Sequence, residues 1–178
     1  MIISGKRFNT NLLLVPALAA VLALLCSCQS PKTNRKKVFS TLRVHLEAGQ
    51  EAPERNQQVL ISRANPVSVH VQKSPFLTET SVKEAKLVEV VGGFALSVTF
   101  DVQGGWLLEQ YSTANLGKHF AIFSQFPIPS NEKMAEGRWL AAPRINKRVA
   151  DGVLVFTPDA TREEAEQIAL GLNNLAQK

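Results

Sequence analysis

The sequence is poor in the residues on which most catalytic and metal sites depend. Its 178 residues include two cysteines, three histidines and one tyrosine, and Cys26 and Cys28 both lie near the N-terminus. The rest of the chain therefore has no disulfide framework, no cysteine-ligated metal and no cysteine nucleophile. The motifs HExxH, GxSxG and GxxxxGK[ST] are missing, as is a glycine-rich dinucleotide loop. We expect a non-enzymatic protein without a metal or a cofactor.

Long apolar runs are also scarce. The segment 12–26 is the one long run without a polar residue, and it contains Pro16. This length is typical of a signal-peptide core, whereas a helix that spans a bilayer needs about 20 apolar residues. Lys6 and Arg7 precede the run and form a positively charged n-region. The sequence thus predicts a signal peptide at residues 1–27, with an uncleaved anchor as an alternative.

The end of this segment reads Leu25-Cys26-Ser27-Cys28 and resembles the lipobox of bacterial lipoproteins. The resemblance implies cleavage before Cys28 and acylation of its thiol and amine, because several acyl chains hold a protein firmly on a membrane. Cys26 fits less well, since bulky Leu25 precedes it. A plain signal peptide is the alternative.

Residues 28–37 then form a polar, basic stretch that we interpret as a flexible tether. Its bases could rest on anionic head groups, although a solvated linker is the simpler interpretation. Gln29 after the cysteine resembles the outer-membrane-directed type of Gram-negative lipoprotein. We therefore expect a membrane-anchored protein that faces the periplasm, on the outer membrane if the source is Gram-negative.

Residues 38–178 are predicted to form a single α+β domain, a mixed but mainly antiparallel sheet with two helices on one face. Two full helices are too few for a doubly wound fold. One helix is predicted over Trp106–Asn115, ended by Gly117, and another after the capping box Thr161–Glu164. Alternating apolar residues predict strands at 38–47, 59–62, 67–71, 87–91, 94–100, 119–124, 138–142 and 153–156.

The local conformation of three connecting segments can also be predicted. Residues 73–80 are predicted to be a loop, and Ser81–Ala85 a single helical turn in which Ser81 and Glu84 are spaced as a capping box. Gly104-Gly105 is interpreted as a flexible entry turn to the first helix, with anion binding as the alternative. Residues 125–137 are predicted to be a Pro-flanked apolar loop.

The order of motifs from Ala85 onward resembles the head subdomain of the large periplasmic domain of SecD, the protein-export accessory subunit. The segments that carry this resemblance are, in order, Lys83–Leu87, Phe94–Phe100, Asn115-Leu116-Gly117-Lys118, Ala142-Pro143-Arg144-Ile145-Asn146 and Thr161–Ala165. It covers about 95 residues, from about 82 to the end. The resemblance implies an extracytoplasmic fold with a capacity to contact polypeptide. SecD couples proton flow to export through transmembrane helices, and this part of the family's function is not carried over.

The predicted loop at 125–137 lies where the family turns tightly. Phe126, Ile128 and Trp139 therefore become candidate contact residues for a partner. The alternative is that Phe126 and Ile128 fold back onto the core.

The leading hypothesis is a lipid-anchored, non-enzymatic envelope protein that binds a polypeptide or an envelope protein, with edge-strand pairing as one mode. The resemblance alone adds a role auxiliary to protein export. The alternatives are a structural cell-wall lipoprotein and an envelope hydrolase that uses His70, Ser97 and Asp101. Basic and aromatic residues do not interleave as they do in RNA-binding strands, so no nucleic-acid partner is expected.

Overall fold

The structure is a computed structural model that describes residues 38–49 and 52–177. The predicted signal peptide, the acylation site Cys28 and the tether lie outside the described residues. Nine strands and two helices are described. The strands are β1 Arg43–Leu46, β2 Asn56–Ile61, β3 Val67–Gln72, β4 Leu77–Thr78, β5 Val82–Val90, β6 Gly93–Phe100, β7 Phe120–Ile128, β8 Asn131–Ala141 and β9 Val153–Phe156. The helices are α1 Val102–Ala114 and α2 Arg162–Ala176.

The described strands form three sheets in which every pairing is antiparallel. One sheet has the order β4-β1-β7-β8, the second is the hairpin β2-β3, and the third has the order β5-β6-β9. The predicted α+β class, mainly antiparallel with two helices, is therefore confirmed. The division into three sheets rather than one was not predicted, because strand partners are chosen by tertiary packing.

One large apolar core joins the four-stranded and three-stranded sheets to both helices. Its fully buried side chains come from Leu42, which directly precedes β1, and from β1, β6, β7, β8, α1 and α2. From these elements they include Val44, Leu96, Val98, Leu108, Ile122, Phe126, Leu140, Ile168 and Leu172. A second, smaller cluster lies under the hairpin β2-β3, where Val59, Ile61, Val69 and Val71 pack against Ala121. The hairpin thus contributes little to the main core.

The capping box predicted for the terminal helix is confirmed. The Thr161 hydroxyl accepts from the Glu164 N–H at 3.2 Å, and Glu164 Oε2 accepts from the Thr161 N–H at 2.8 Å. Apolar residues at helical spacing then bury one face of α2, as its sequence predicts.

The helical turn predicted at Ser81–Ala85 is wrong. A short 3₁₀ turn covers Glu79–Ser81, and β5 begins at Val82. Val82 and Ala85 are buried, and pairing with β6 over the full length of β5 outweighs the local capping pattern.

The first helix begins four residues earlier than predicted. Asp101 is its N-cap and accepts from the Gly104 N–H at 2.7 Å, so Gly104-Gly105 lies inside the first turns and is not an entry turn. A Cβ on Gly104 would lie 2.9 Å from the Cβ atoms of Phe100 and Ser81. Close packing of α1 on β6 therefore explains this glycine.

The apolar loop predicted at 125–137 is also wrong, because these residues continue β7 and β8 as one hairpin. The loop was predicted because of Pro127, since proline is uncommon inside a paired strand. Gln125 exchanges hydrogen bonds with Thr41 on the β1 side of β7. Because every second residue of an antiparallel strand turns its peptide groups to the same side, the backbone of Pro127 also faces the β1 side. A backbone N–H is therefore not needed at Pro127 for pairing with β8.

Neither described helix is long and apolar enough to cross a bilayer.

Candidate functional site

The outer edge of β9 is a candidate binding surface. This strand pairs only with β6, and in the part of the chain that the structure describes no strand lies on its other side. An edge strand presents unpaired N–H and C=O groups to which another chain can add as a further strand.

The register of the sheet identifies which peptide groups of β9 point outward. The Phe100 N–H donates to Gly152 O at 2.9 Å, so Phe100 has its backbone polar groups turned towards β9. Alternation then makes Leu154 and Phe156 hydrogen-bonded partners of β6, and Val153 and Val155 outward-facing positions. The Val153 N–H accordingly donates to Asp151 Oδ1 at 3.1 Å. Val155 therefore directs its N–H and C=O away from the sheet.

On the opposite edge of the same sheet, a side chain pairs with the backbone of one residue of β5. Asn173 of α2 accepts from the Ala85 N–H at 2.8 Å and donates to Ala85 O at 2.8 Å. This single amide satisfies both outward-facing peptide groups of the residue, as an added strand would. In the described residues, the three-stranded sheet therefore has a β5 edge that Asn173 covers at Ala85, and a β9 edge that no strand covers.

A groove of about 550 Å³ runs between β9 and the segment 143–151. This volume lies within the range of about 300–1,000 Å³ that is usual for ligand sites. Phe120, Ile145 and Leu154 line the groove and are almost completely buried, so it has an apolar floor. A second chain that lies extended along β9 would place every other one of its side chains on this floor.

The segment that forms the far wall is held by hydrogen bonds along its length. The Phe120 N–H donates to Pro143 O at 3.0 Å, and the Ile145 N–H donates to Lys118 O at 2.8 Å. Farther along, the Val149 N–H donates to the buried Ser112 hydroxyl of α1 at 2.9 Å. The wall is thus fixed to β7 and to α1.

The rim of the groove is basic and adjoins an exposed tryptophan. Arg144, Lys147 and Arg148 are exposed, and Arg148 forms an ion pair with Glu109 on α1. Arg148 also borders a shallow depression beside Trp106, whose side chain is 67% exposed. An exposed indole beside a cationic groove is typical of a surface that contacts a partner.

This groove is not among the sites that the sequence predicts. The sequence feature that belongs to it is the segment Ala142-Pro143-Arg144-Ile145-Asn146, most of which forms part of the wall. Nothing in the local pattern shows that this segment faces β9, because they are brought together by the packing of α1 and β7.

The predicted contact residues lie elsewhere, on the hairpin β7-β8. Phe126 is fully buried, with the Arg138 guanidinium 5.2 Å from its ring centre, so it folds into the core and is not available to a partner. Ile128 and Trp139 are half-buried, and the indole of Trp139 packs edge-on against the rings of Phe123 and His45. A binding role for Ile128 and Trp139 stays a prediction.

The residues considered for hydrolysis are not brought together. Ser97 is buried in β6, Asp101 caps α1, and His70 lies on β3, with no hydrogen bond joining any two of these described side chains. The carboxylate of Glu47 pairs with His119 instead, at 2.7 Å from Nδ1. The described residues contain no cluster of three or more His, Cys, Asp or Glu that could hold a metal ion.

His45 is buried beneath the hairpin β2-β3, and its Nδ1 lies 2.8 Å from Gln72 O. Burial lowers the pKa of His45 below its ordinary value, the hydrogen bond to Gln72 opposes this effect, and the charge of Arg43 adds to the lowering. This histidine is a packed core residue that also contacts Trp139.

The family model of the SecDF P1 head subdomain matches residues 56–176. The chain therefore belongs to this family. The match begins at the first residue of β2, upstream of the position near 82 at which the motif order suggested a resemblance.

Several solved SecDF structures are similar to this chain at low sequence identity. A SecDF described as a membrane component that enhances protein export is 18% identical, with 97% of this chain and 72% of that chain covered and a TM-score of 0.52. SecDF in a super-membrane-facing form is 16% identical, with 93% and 33% covered and a TM-score of 0.47. A translocon-associated SecDF from Thermus thermophilus is 17% identical, with 94% and 34% covered and a TM-score of 0.40. No curated protein shows a significant match.

Proposed function

We propose that this protein is a lipid-anchored, non-enzymatic envelope protein whose domain binds extended polypeptide at the outer edge of β9, in support of protein export. The observation that carries the proposal is the open edge of β9 beside an apolar-floored groove, in a sheet on whose other edge Asn173 pairs with Ala85. An unpaired edge over an apolar floor favours binding of a strand.

Family membership supports the export-related and periplasm-facing parts of this proposal. The matched family is a subdomain of SecDF, and one solved SecDF is described as enhancing protein export. A polypeptide on its way across or out of a membrane is unfolded, so its backbone groups are free to pair with an edge strand. The proposed substrate is therefore any extended chain, recognised mainly through its backbone.

The chemistry of binding follows from the register of β9. The outward N–H and C=O of Val155 would donate to and accept from the added chain, while alternate side chains of that chain cover Phe120 and Leu154. Binding of this kind requires no reactive group, which agrees with a non-enzymatic role.

Replacement of Val155 by proline tests the mode of binding. V155P removes the outward N–H but no hydrogen bond to β6, and proline is tolerated on edge strands. V155T keeps the N–H and the strand propensity, and serves as the matched control. With the full-length protein in detergent and a fluorescent, permanently unfolded polypeptide as the probe, anisotropy should show at least a fivefold weaker affinity for V155P and little change for V155T.

A second measurement guards against misfolding of the proline variant. A photo-crosslinking side chain at Lys147, on the groove rim, should capture the unfolded probe, whereas one at Leu60, which is 65% exposed on the separate hairpin, should not. Equal capture at both positions, or unchanged affinity of a folded V155P, would reject the β9 edge as the binding site.

The lipid anchor is tested separately from polypeptide binding. We expect the mature protein to begin at Cys28, with a mass increase for acyl chains, and to sediment with envelope membranes. C28S should abolish acylation and release of the signal peptide, as measured by intact mass spectrometry. An intact Met1 and an unmodified thiol in the wild-type product would disprove the anchor.

A further inference from the structure

The charges around the β9 groove bear on which extended segments it binds. Three cationic residues line it, Arg144, Lys147 and Arg148, against one acid, Asp151. We propose that the groove prefers segments that carry Asp or Glu and rejects segments rich in Lys or Arg. This inference rests on the proposed function and specifies the substrate class of the same site.

Two of the three cations have no carboxylate partner. In the described part of the chain Arg144 donates only to a backbone oxygen, Gly117 O, at 3.2 Å, and Lys147 forms no ion pair. Both side chains are exposed. They are therefore available to the carboxylates of a bound chain.

The acids near the groove are already engaged. Asp151 Oδ1 accepts from the Val153 N–H at 3.1 Å, and Glu109 is paired with Arg148. Among the described residues neither carboxylate is paired with Arg144 or Lys147, and with three cations against Asp151 the lining keeps an excess of positive charge. A concave surface of one sign with apolar walls concentrates this potential on whatever enters it.

The expected selectivity is modest because the cations are exposed to water. Exposed ion pairs contribute little individually, so two favourable contacts should give about a tenfold preference for an acidic over a basic segment at low salt. Screening should reduce the preference as the salt concentration rises. The positively charged n-region of a signal peptide would be disfavoured, and acidic stretches of the exported chain itself would be favoured.

Three fluorescent peptides with the same alternating apolar residues test this inference. They differ only at two polar positions, which carry Asp, Ser or Lys. Their affinities are measured with the full-length protein in detergent, at low and high salt. We expect the order Asp, Ser, Lys, from tightest to weakest, with a smaller spread at high salt.

Charge reversal locates the source of the preference. R144E/K147E should invert the order of the Asp and Lys peptides, and K147E alone, which removes no contact in the described structure, should weaken the preference. The control K83E/R55E changes the net charge equally at exposed positions away from the groove lining and should keep the wild-type order.

Each outcome decides a separate point. If no peptide binds, the proposed function fails. If all three bind equally, polypeptide binding stands and the charge preference is overturned. It is also overturned if K83E/R55E abolishes the preference as R144E/K147E does, because the preference would then reflect overall charge and not the groove.

Discussion

Gly171 permits the closest approach between α2 and the start of the described chain. A Cβ at this position would lie 2.2 Å from the hydroxyl oxygen and 2.5 Å from the backbone nitrogen of Ser40. Because Ser40 also donates to Gln167 O and its backbone cannot yield cheaply, we expect G171A to lower the free energy of unfolding by about 1–3 kcal/mol, as overpacking usually does.

The matched control for this substitution is G105A in α1. A Cβ on Gly105 would meet Gly152 Cα at 3.5 Å, an ordinary contact, so the gain in helix propensity should stabilise the protein by about 0.5–1 kcal/mol. Urea denaturation of both variants measures the difference. A G171A protein as stable as the wild type would show that α2 and Ser40 are not packed as described.

His45 should make stability depend on pH. Its pKa is lowered, first by burial, so the unfolded chain binds the proton more tightly and the free energy of unfolding rises with pH through the window below 6.5. This contribution is complete above that value and is lost as the pH falls. Urea denaturation across this range should show a smaller pH dependence for H45Q than for the wild type.

At the scale of the element, Asn173 satisfies the outward-facing N–H and C=O of Ala85 in β5, as a further strand would at that residue. N173A leaves the N–H and C=O of Ala85 without partners, and unsatisfied buried groups each cost about 1–3 kcal/mol. For the two groups together we expect a loss of stability of about 2–6 kcal/mol, and concentration-dependent self-association, because more of the β5 edge then presents unpaired backbone groups. Denaturation and analytical ultracentrifugation measure the two effects. E166A, on the exposed face of α2, should show neither.

The elements predicted best were those whose partners lie nearby in the chain. The hairpin through Gly92-Gly93, β9 and the capping box of α2 were located correctly, because tight turns and caps are encoded within a few residues. The hairpin β7-β8 was missed because prolines usually mark a break in a strand, and the local sequence does not show that the backbone of Pro127 faces away from β8.

At the scale of the whole molecule, the two apolar clusters differ in size, and local stability should differ with them. The hairpin β2-β3 rests on a small cluster, whereas β6 crosses the main core. We expect backbone amides of β2 and β3 to exchange with deuterium faster than those of β6, through partial opening of the hairpin. Hydrogen exchange monitored by mass spectrometry measures this. Equal protection of the hairpin and β6 would instead indicate a single cooperative unit.

The sequence by itself determined the α+β class, the terminal helix with its cap and the family resemblance, because periodicity, capping and motif order act over short separations in the chain. It also predicts a signal peptide and a lipidation site near the N-terminus. Only the tertiary structure decided where a partner could bind. It buried Phe126, capped β5 with Asn173 and left β9 open beside the basic segment at 144–148. An open edge is a property of strand order, which depends on contacts between residues far apart in the chain.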